Sequence, residues 1–322
     1  MSQALQYAAG IVHYGADPGL ARCLASLRAQ SLPPQHVVVV DHDPPGAGGA
    51  DQPALRRAFP EVEWVHAPNG GFAAGANRVI ARALAAAPSA DFVLVLNPDV
   101  ELEEDFAAET LAAMAERPQV ALASGKLLRP GGAGGPGSRQ IDSAGITMRR
   151  SRRFRDRGSE EPDDGRFDRI ETVCAVSGAA LMLRRAALPV LAVEGEIFDE
   201  DFFTYHEDTD LAWRARRLGW QCLYVPRARA THVRGWRQGG RRGVATRIRR
   251  HSWKNRYLEL LKNDSPLGFL RDLPFILPFE VARLGYALLA DRALLGAYLE
   301  AGRHARRALQ KRMILRRLPG RN

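Results

Sequence analysis

The sequence predicts an α/β fold in which a mostly parallel central sheet is flanked by helices and followed by a C-terminal helical extension. Short apolar runs alternate with amphipathic helical patterns through the first half of the chain, which is typical of βαβ units. The run from Phe92 to Leu96 is apolar at every position, as expected of a strand covered on both faces. Past Gly243 the pattern changes to long helices. We therefore expect a sheet domain over residues 1–240 and a basic amphipathic extension over residues 241–322.

The N-terminal elements follow from hydrophobic periodicity. Ala8 to Tyr14 is predicted as the first strand and Leu20 to Gln30 as a helix. Val37 to Val40 is predicted as the second strand, ending at Asp41, and Glu63 to His66 as a short third one. The helix carries its apolar residues on one face, namely Leu20, Cys23, Leu24 and Leu27. This alternation indicates parallel strand pairing.

A glycine-rich segment, Asn69 to Asn77 (NGGFAAGAN), opens an alanine-rich helix that Pro88 ends. Gly71 and Gly75 could let the backbone approach a nucleotide closely, while Asn69 and Asn77 could bond to that nucleotide or cap the helix. The segment is neither a Walker A loop, because no Gly-Lys-Ser/Thr follows, nor a dinucleotide fingerprint, which would have to follow the first strand. By itself it indicates nucleotide binding only weakly.

The fourth strand stops at Asn97-Pro98-Asp99. Proline ends ladder pairing, so that one carboxylate is delivered to the carboxyl edge of the sheet, where ligands bind in open α/β folds. A hard oxygen ligand there suits Mg²⁺ or Mn²⁺ on a diphosphate. The alternative is that Asp99 or a nearby acid caps a helix that starts between Leu102 and Phe106.

The second half contains another buried run, Val173 to Leu183, which reads as a strand. Ser177-Gly178 interrupts it, and the glycine permits a close approach of another group. Farther on, Gln221 to Val225 is predicted as a strand that Pro226 ends.

An acidic segment, residues 198–210, holds six acids among thirteen residues and precedes a helix from Leu211 to Leu218. Its Glu207-Asp208 pair lies among aromatic residues, where burial would raise the pKa of a carboxylate and suit a general base. The alternative is that these acids only stabilise the helix start. His232 follows in an arginine-rich loop, where a lone histidine is more often structural than a ligand.

Charge is distributed unevenly along the chain. The formal net charge is +10; residues 241–322 hold 19 Lys/Arg against 6 Asp/Glu, while the first 240 residues hold 27 against 30. Arg149 to Arg157 contains six arginines, which we interpret as a solvated ribbon rather than a site for an anionic surface. The extension can lie on an anionic membrane leaflet, or else pack on the sheet domain or form a homodimer.

Three cysteines without metal-ligand spacing indicate a reducing compartment. The N-terminus lacks the cationic start of a signal peptide, and no apolar run approaches the roughly 20 residues that cross a bilayer. We expect a cytoplasmic protein that is peripheral on the inner membrane face.

The order of motifs resembles family 2 glycosyltransferases of the GT-A fold, a Rossmann-like architecture, and most closely their bacterial rhamnosyltransferase branch. The resemblance covers roughly Ala8 to Gly235. It rests on an ordered set of segments: VVVVD (Val37 to Asp41), NGGFAAGAN (Asn69 to Asn77), VLNPDV (Val95 to Val100), IDSAG (Ile141 to Gly145), VSGAALMLRR (Val176 to Arg185), FDEDFFTYHEDTDLAWRARRLGW (Phe198 to Trp220) and VPRARATH (Val225 to His232).

The resemblance implies a metal-dependent, inverting transfer of a sugar, with rhamnose as one candidate, in cell-surface polysaccharide synthesis. The donor would be a dTDP- or UDP-linked sugar and the acceptor a glycan or a lipid-linked hydroxyl. Asp99 would match the last residue of the Asp-x-Asp metal motif and His232 the histidine that completes coordination of Mg²⁺ or Mn²⁺. Asp208, the second residue of the Glu207-Asp208 pair, would match the base.

The implied donor site collects residues from several motifs: Tyr14, Asp41, Asn69, Gly71, Asn77, Asn97, Asp99, Ser177 and Gly178. The chain departs from the family after Asp41, where Asn and Ser are usual and His42-Asp43-Pro44-Pro45 stands here. Two other functions fit parts of the sequence. A nucleotidyltransferase acting on sugar phosphates would also use a metal and a nucleotide, and a nucleic-acid-binding protein would explain the basic extension but not the acidic segment. We expect no nucleic-acid partner.

Overall fold

The structure is a computed structural model that describes residues 5–15, 18–43, 52–130, 139–233 and 245–318. The expected domain boundary after residue 240 and the Pro44-Pro45 pair lie outside these residues.

Among the described residues, ten strands form one mixed sheet and two others form a small hairpin. The strands are β1 (Tyr7–His13), β2 (Val37–Asp41), β3 (Glu63–His66), β4 (Phe92–Leu96), β5 (Val100–Leu102), β6 (Val120–Arg129), β7 (Gln140–Ser143), β8 (Ile146–Met148), β9 (Phe154–Asp156), β10 (Glu171–Val173), β11 (Ala180–Arg184) and β12 (Gln221–His232). The sheet runs β10-β12-β6-β11-β4-β1-β2-β3, with β5 beside β12 and β7 beside β6. β1 to β4 pair in parallel, as predicted, whereas β11 runs antiparallel to both β4 and β6.

Helices cover both faces of the sheet. They are α1 (Leu20–Arg28), α2 (Gln52–Ala58), α3 (Gly71–Ala86), α4 (Phe106–Ala115), α5 (Leu188–Leu191), α6 (Glu207–Arg217), α7 (Thr246–Asn263), α8 (Pro266–Leu289) and α9 (Leu295–Arg317). β4 alternates between two apolar cores, since Val93 and Val95 pack in one and Leu94 and Leu96 in the other. The predicted apolar face of α1 is the buried one.

Two local predictions are corrected by strand pairing. A short strand, β5, follows Asp99, and α4 starts at Phe106, so Asp99 does not cap that helix. The nearby acid Asp105 occupies the N-cap position, although its side chain accepts no capping hydrogen bond. Pro226 does not end its strand either. β12 continues to His232 along β6 and absorbs the proline in a register shift between Val225 and Arg229, because a bulge leaves one strand residue without a ladder partner.

The strand predicted over Val173 to Leu183 is also divided, because only its two ends lie in strands. Residues 174–179 form a connection between β10 and β11 instead of one continuous strand. β11 then inserts between β4 and β6, with Ala180 opposite Leu96. This insertion brings Ser177 and Gly178 to the edge where β4 ends.

The C-terminal helices pack on the sheet domain through buried ion pairs. Lys262 of α7 contacts Asp199 and Asp210, and Lys311 of α9 contacts Asp199 at 2.6 Å. Part of the excess positive charge of the extension is therefore neutralised inside the molecule, as the packing alternative predicts. No single helix in the described ranges is long and apolar enough to span a membrane; α8 and residues 292–317 meet that test only as a pair bent by 119°.

The arginine run from Arg149 to Arg157 is not simply a solvated ribbon, which corrects that interpretation. Arg152 is buried and forms ion pairs with Asp264 at 2.7 Å and Asp272 at 2.6 Å. Arg150 also contacts Asp272. The run therefore ties the β8-β9 hairpin to α8, because a buried guanidinium requires carboxylate partners.

Candidate active site

The carboxyl edge of the sheet collects the polar residues that follow β1, β2 and β4. His13 at the end of β1 lies opposite Asp41 at the end of β2, and Ile11 lies opposite Leu96 at the end of β4. Parallel strands deliver the residues after their carboxyl ends to one edge. Asp99 and Asp41 consequently lie near the same carboxyl edge of the sheet.

His232 reaches Asp99 because β5 pairs with β12. The pairing sets His232 opposite Val100, and its Nε2 atom lies 3.4 Å from Oδ1 of Asp99. A carboxylate oxygen and an imidazole nitrogen at this separation fit two ligands of one Mg²⁺ or Mn²⁺ ion. The predicted metal pair is thus brought together from distant parts of the sequence.

Asp142, on β7, orients His232. Its Oδ2 lies 2.9 Å from Nδ1 of His232, and its Oδ1 accepts a hydrogen bond from Nε of Arg129 at 2.8 Å. Burial would lower the pKa of His232, but hydrogen bonds to Asp142 and Asp99 outweigh it and raise the pKa to about 9. A carboxylate bound to the far nitrogen of a histidine fixes the ring and its tautomer, as in many metal sites.

A second set of potential ligands lies beside the first two strands. His13, Asp41 and Asp43 offer buried ligand atoms that all lie within 4.8 Å of one another. Internal contacts already occupy part of this set, since Nδ1 of His13 lies 3.0 Å from Asp41 and Asp43 accepts a hydrogen bond from the Gly15 amide. Asp41 is buried, whereas Tyr14, directly after β1, is exposed.

The glycine-rich segment is packed against residues 198–203. A Cβ atom on Gly71, whose φ is +84°, would lie 2.3 Å from the Phe203 carbonyl oxygen. Asn69 accepts a hydrogen bond from the Gly71 amide at 3.0 Å. Asn77 bonds to the Phe198 backbone through both its amide nitrogen and its oxygen, at 2.8 Å each. These contacts give Gly71 and Asn77 a positioning role, and their donor contacts stay a prediction.

The acidic pair begins α6, next to the β10-β11 connection. Oδ2 of Asp208 accepts a hydrogen bond from the Gly178 amide at 2.9 Å, and Oδ1 accepts one from Thr209 at 2.7 Å. A Cβ atom on Gly178 would lie 3.2 Å from the Cβ of Asp208, so the glycine permits the close approach expected from the sequence. Ala179, in the same connection, accepts a hydrogen bond from the Asn97 amide, which links the two halves of the site.

Glu207 differs from its neighbour in exposure. Its side chain is buried, and its Oε2 atom has no hydrogen-bond partner among the described residues. Burial, together with the charge of Asp208, raises its pKa well above the usual value. Asp208 is partly exposed, so of the two carboxylates it is the more accessible to a substrate hydroxyl.

The backbone before α6 adopts an unusual conformation. Phe203, Tyr205 and His206 all have positive φ, at 65°, 68° and 69°, which is costly for residues with side chains. Asn255 of α7 donates hydrogen bonds to the carbonyl oxygens of residues 202, 204 and 205 at 2.7–2.8 Å. Glu259, also of α7, lies 2.9 Å from Nδ1 of His206. The extension therefore holds the segment that leads to Asp208.

One cleft of about 910 Å³ joins most of these groups. It includes seven of the expected site residues: Asn97, Asp99, Ser177, Gly178, Glu207, Asp208 and His232. The other five expected residues, Tyr14, Asp41, Asn69, Gly71 and Asn77, are not among the described residues that line it. The β8-β9 hairpin, α7 and α8 also line the cleft, with residues that include Arg153, Trp253 and Phe279.

Sequence reasoning missed two of the groups that organise this site. Asp142 lies in the IDSAG segment, which counted only toward the family resemblance. The available signal was an aspartate directly after the apolar Ile141, because a carboxylate that is buried with such a neighbour needs partners. Asn255 carries no such signal, since an asparagine in a basic helix reads as a surface residue.

Comparisons with known proteins identify the family of this chain. Residues 9–188 match the family model described as glycosyl transferase family 2. The N-acetylglucosaminyl-diphospho-decaprenol L-rhamnosyltransferase of Mycobacterium tuberculosis, found in two strains, is 31% identical over 275 residues, which is 79% of this chain and 83% of the relative.

Solved structures also share the fold. S. aureus TarS 1-349 aligns over 97% of this chain and 90% of that chain, with a TM-score of 0.56 and 15% identity. The mannosyltransferase PcManGT from Pyrobaculum calidifontis, solved with GDP-Man and Mn²⁺, aligns over 98% of this chain and 86% of that chain, with a TM-score of 0.54 and 17% identity. At these identities the likeness bears on the fold alone, and it confirms the GT-A architecture expected from the sequence.

Proposed function

The chain belongs to glycosyl transferase family 2, and from that premise we propose that it moves rhamnose from a dTDP- or UDP-linked donor to a hydroxyl of a lipid-linked N-acetylglucosaminyl acceptor. The rhamnosyl group and the acceptor follow the name of the mycobacterial relative. We further propose that this transfer serves cell-surface polysaccharide synthesis. The family match favours this function over a nucleotidyltransferase or a nucleic-acid-binding protein.

A single observation carries the proposal. Asp99 and His232, 3.4 Å apart, share one cleft with Asp208, which two backbone amides orient. Asp99 and His232 are suited to bind a metal ion on the diphosphate of the donor. Asp208 is suited to act as the general base for the acceptor hydroxyl. One cleft thus offers both groups that an inverting displacement requires.

The proposed chemistry needs charge neutralisation on one side and a proton acceptor on the other. A divalent ion held by Asp99 and His232 would neutralise the departing nucleoside diphosphate. Asp208 takes the proton from the acceptor hydroxyl as that oxygen attacks the anomeric carbon. Asp142 keeps Nε2 of His232 directed at Asp99. Donor contacts by Tyr14, Asp41, Asn69, Gly71, Asn77, Asn97, Ser177 and Gly178 belong to the same proposal.

We also propose that the protein is cytoplasmic and contacts the inner membrane face through α8. Seven α8 residues, Leu267, Leu270, Pro274, Leu277, Val281, Leu284 and Leu288, recur at spacings of three, four or seven and are exposed. They form one apolar stripe, since such spacings share a helix face. The opposite face, with Asp272, Ile276 and Ala287, is buried against the protein. A lipid-linked acceptor would bring the bilayer next to this stripe. In this proposal the sheet domain covers residues 1–240 and the helical extension covers residues 241–322.

The test is a transfer assay with purified protein, Mn²⁺, dTDP-rhamnose or UDP-linked sugars, and N-acetylglucosaminyl diphosphate on a short isoprenyl chain. We expect one rhamnose to be added with inversion, detected by mass spectrometry and NMR. Transfer from another nucleotide sugar would correct the donor, and release of pyrophosphate from a sugar phosphate and a nucleoside triphosphate would favour the nucleotidyltransferase instead.

A further inference from the structure

The cleft is lined by charged groups of both signs that come from different elements. Three of its carboxylates, Asp99, Glu207 and Asp208, come from the sheet edge and α6. Five guanidinium groups come from the β8-β9 hairpin and the C-terminal helices: Arg152, Arg153, Arg155, Arg256 and Arg283. A substrate in this cleft can therefore contact both carboxylates and arginines.

Three of these arginines are committed to the protein itself. Arg152 forms its ion pairs with Asp264 and Asp272. Arg256 is bound to Glu280 and to the carbonyl oxygens of residues 151 and 152. Arg283 stacks on Trp253, with 3.8 Å between the guanidinium carbon and the ring centre. Most N–H donors of Arg152 and Arg256 are therefore occupied by contacts within the protein.

Arg153 and Arg155 are the two of these five arginines whose side chains are exposed. They flank Phe154 in an extended segment, where residues two apart share a face. Phe154 packs edge-on against Trp213 of α6, at 5.8 Å between ring centres, which anchors the hairpin. Arg153 lies over Phe279 of α8, with 5.9 Å between the guanidinium carbon and the ring centre. Asp156, next along β9, also lines the cleft, and the hairpin wall remains net positive.

We propose that Arg153 and Arg155 form the subsite for the diphosphate group of the acceptor, an inference that rests on the proposed function. The acceptor sugar must present an uncharged hydroxyl to Asp208, while its diphosphate carries adjacent negative charges that need counter-charges. Guanidinium groups bind phosphate oxygens in a bidentate manner and are well suited to this task. α8 lies beside the pair, so the lipid chain of the acceptor leaves the cleft next to the apolar stripe of α8.

The test compares wild type with Arg153→Gln/Arg155→Gln and with a matched control, Arg149→Gln. Arg149 is an exposed arginine of the same hairpin that does not line the cleft. Two acceptors are used: N-acetylglucosaminyl diphosphate on a short isoprenyl chain, and octyl N-acetylglucosaminide, which has no phosphate. We expect the double variant to raise KM for the first acceptor by about tenfold to hundredfold, as for lost charge-assisted hydrogen bonds. Donor KM and the reaction with octyl N-acetylglucosaminide should stay unchanged, and Arg149→Gln should match wild type.

Each other result argues against the subsite. An unchanged KM for the diphosphate acceptor overturns it, an equal rise for both acceptors indicates damage to the hairpin, and a rise in donor KM assigns the pair to the donor. If wild type uses neither acceptor, the proposed function fails, and a direct titration still tests the subsite. Inorganic pyrophosphate in excess EDTA should bind wild type and Arg149→Gln but not the double variant; equal binding to all three overturns the inference.

Discussion

At the scale of single residues, the chemistry depends on how the structure distinguishes two adjacent carboxylates. Glu207 is buried and its pKa is raised, whereas Asp208 is oriented by the Gly178 and Thr209 amides at the cleft. Adjacent acids in different environments commonly take different roles. The environment, rather than the residue type, favours Asp208 as the base.

Asp208→Asn should therefore lower kcat by about 10² to 10⁴, the usual contribution of a general base. The fold and donor affinity should change little, because asparagine keeps the shape and the metal side is untouched. Steady-state kinetics and donor titration measure both effects. Glu207→Gln is the control and should retain most activity; wild-type turnover in Asp208→Asn together with loss in Glu207→Gln would make Glu207 the base.

The metal site gives a second prediction at this scale. Asp99→Asn should abolish turnover in Mg²⁺ or Mn²⁺, and Asp142→Asn should weaken metal affinity by about 10- to 100-fold, because His232 loses its orienting partner. Rates measured against Mn²⁺ concentration provide the comparison.

Asp43→Asn serves as the matched control, because Asp43 belongs to the second set of potential ligands. We expect its response to Mn²⁺ to match that of wild type. Full activity of wild type in excess EDTA, or loss of the Mn²⁺ response in Asp43→Asn alone, would contradict the Asp99-His232 site.

At the scale of elements, α7 acts as a support for the segment that leads to Asp208. Asn255 donates to three carbonyl oxygens, those of residues 202, 204 and 205, in a backbone with positive φ at Phe203, Tyr205 and His206. Strained backbone persists only where its surroundings stabilise it. The extension is thus a structural part of the active site.

Asn255→Ala should remove the side-chain donor shared by those carbonyl oxygens and lower kcat by at least about tenfold, with a stability loss of about 1 to 3 kcal/mol. Asn263→Ala is the matched control, since Asn263 is a buried asparagine of α7 that bonds to Asp210 instead. We expect it to lose stability without a comparable loss of kcat, as measured by thermal unfolding and initial rates. Equal losses of kcat in both variants would reduce Asn255 to a general packing role.

The ion pairs between α7, α9 and the sheet domain predict a pH dependence. Burial would raise the pKa of Asp199, but Lys262 and Lys311 outweigh it and lower that pKa well below its usual range. A depressed pKa means that this stabilisation is complete above the unfolded-state value of about 3.9 and disappears as the pH falls toward the folded-state value. Asp199→Asn should cost about 3 kcal/mol at neutral pH.

That difference between wild type and Asp199→Asn should shrink as the pH falls below about 4, as measured by urea unfolding at several pH values. Asp91→Asn changes an exposed aspartate and should show no such dependence. A constant difference down to acid pH would exclude the ion pairs as its source.

At the scale of the whole molecule, α8 separates the cleft from an exposed apolar surface. Leu277 and Val281 are 56% and 62% exposed, while Ile276 and Ala287 on the opposite face are buried. Since the extension is packed on the sheet domain, deleting it would leave Asp199 and Asp210 without Lys262. Point substitutions on α8 therefore test membrane contact better than truncation does.

Leu277→Glu/Val281→Glu should reduce binding to anionic vesicles by at least tenfold, because each apolar side chain contributes roughly 1.5 to 3 kcal/mol when buried. Turnover of a water-soluble acceptor should persist. Leu309→Glu, on the exposed side of α9, is the control and should bind vesicles like wild type. Unchanged flotation of the α8 variant would exclude the stripe as the contact, and a dimer that dissociates in this variant would assign the stripe to a second copy.

The sequence by itself determined the features that depend on local pattern. The strands β2, β3 and β4, the buried face of α1 and the carboxylate after Asn97-Pro98 all follow from short-range periodicity and from the conformational limits of proline. The order of motifs also indicated the family, and the comparisons confirmed it. These features can be predicted from the sequence because each involves residues within one turn or one strand.

Only the tertiary structure decided how these pieces meet. β5 was too short to be recognised, yet its pairing with β12 brings His232 to Asp99, and Asp142 orients that histidine from 90 residues away in the chain. Pro226 looked like a strand end, but a register shift accommodates it. Asn255 supports a loop 50 residues before it. Such contacts join distant segments through burial and charge pairing, so no local sequence pattern predicts them. They form only when the sheet and the C-terminal helices pack together.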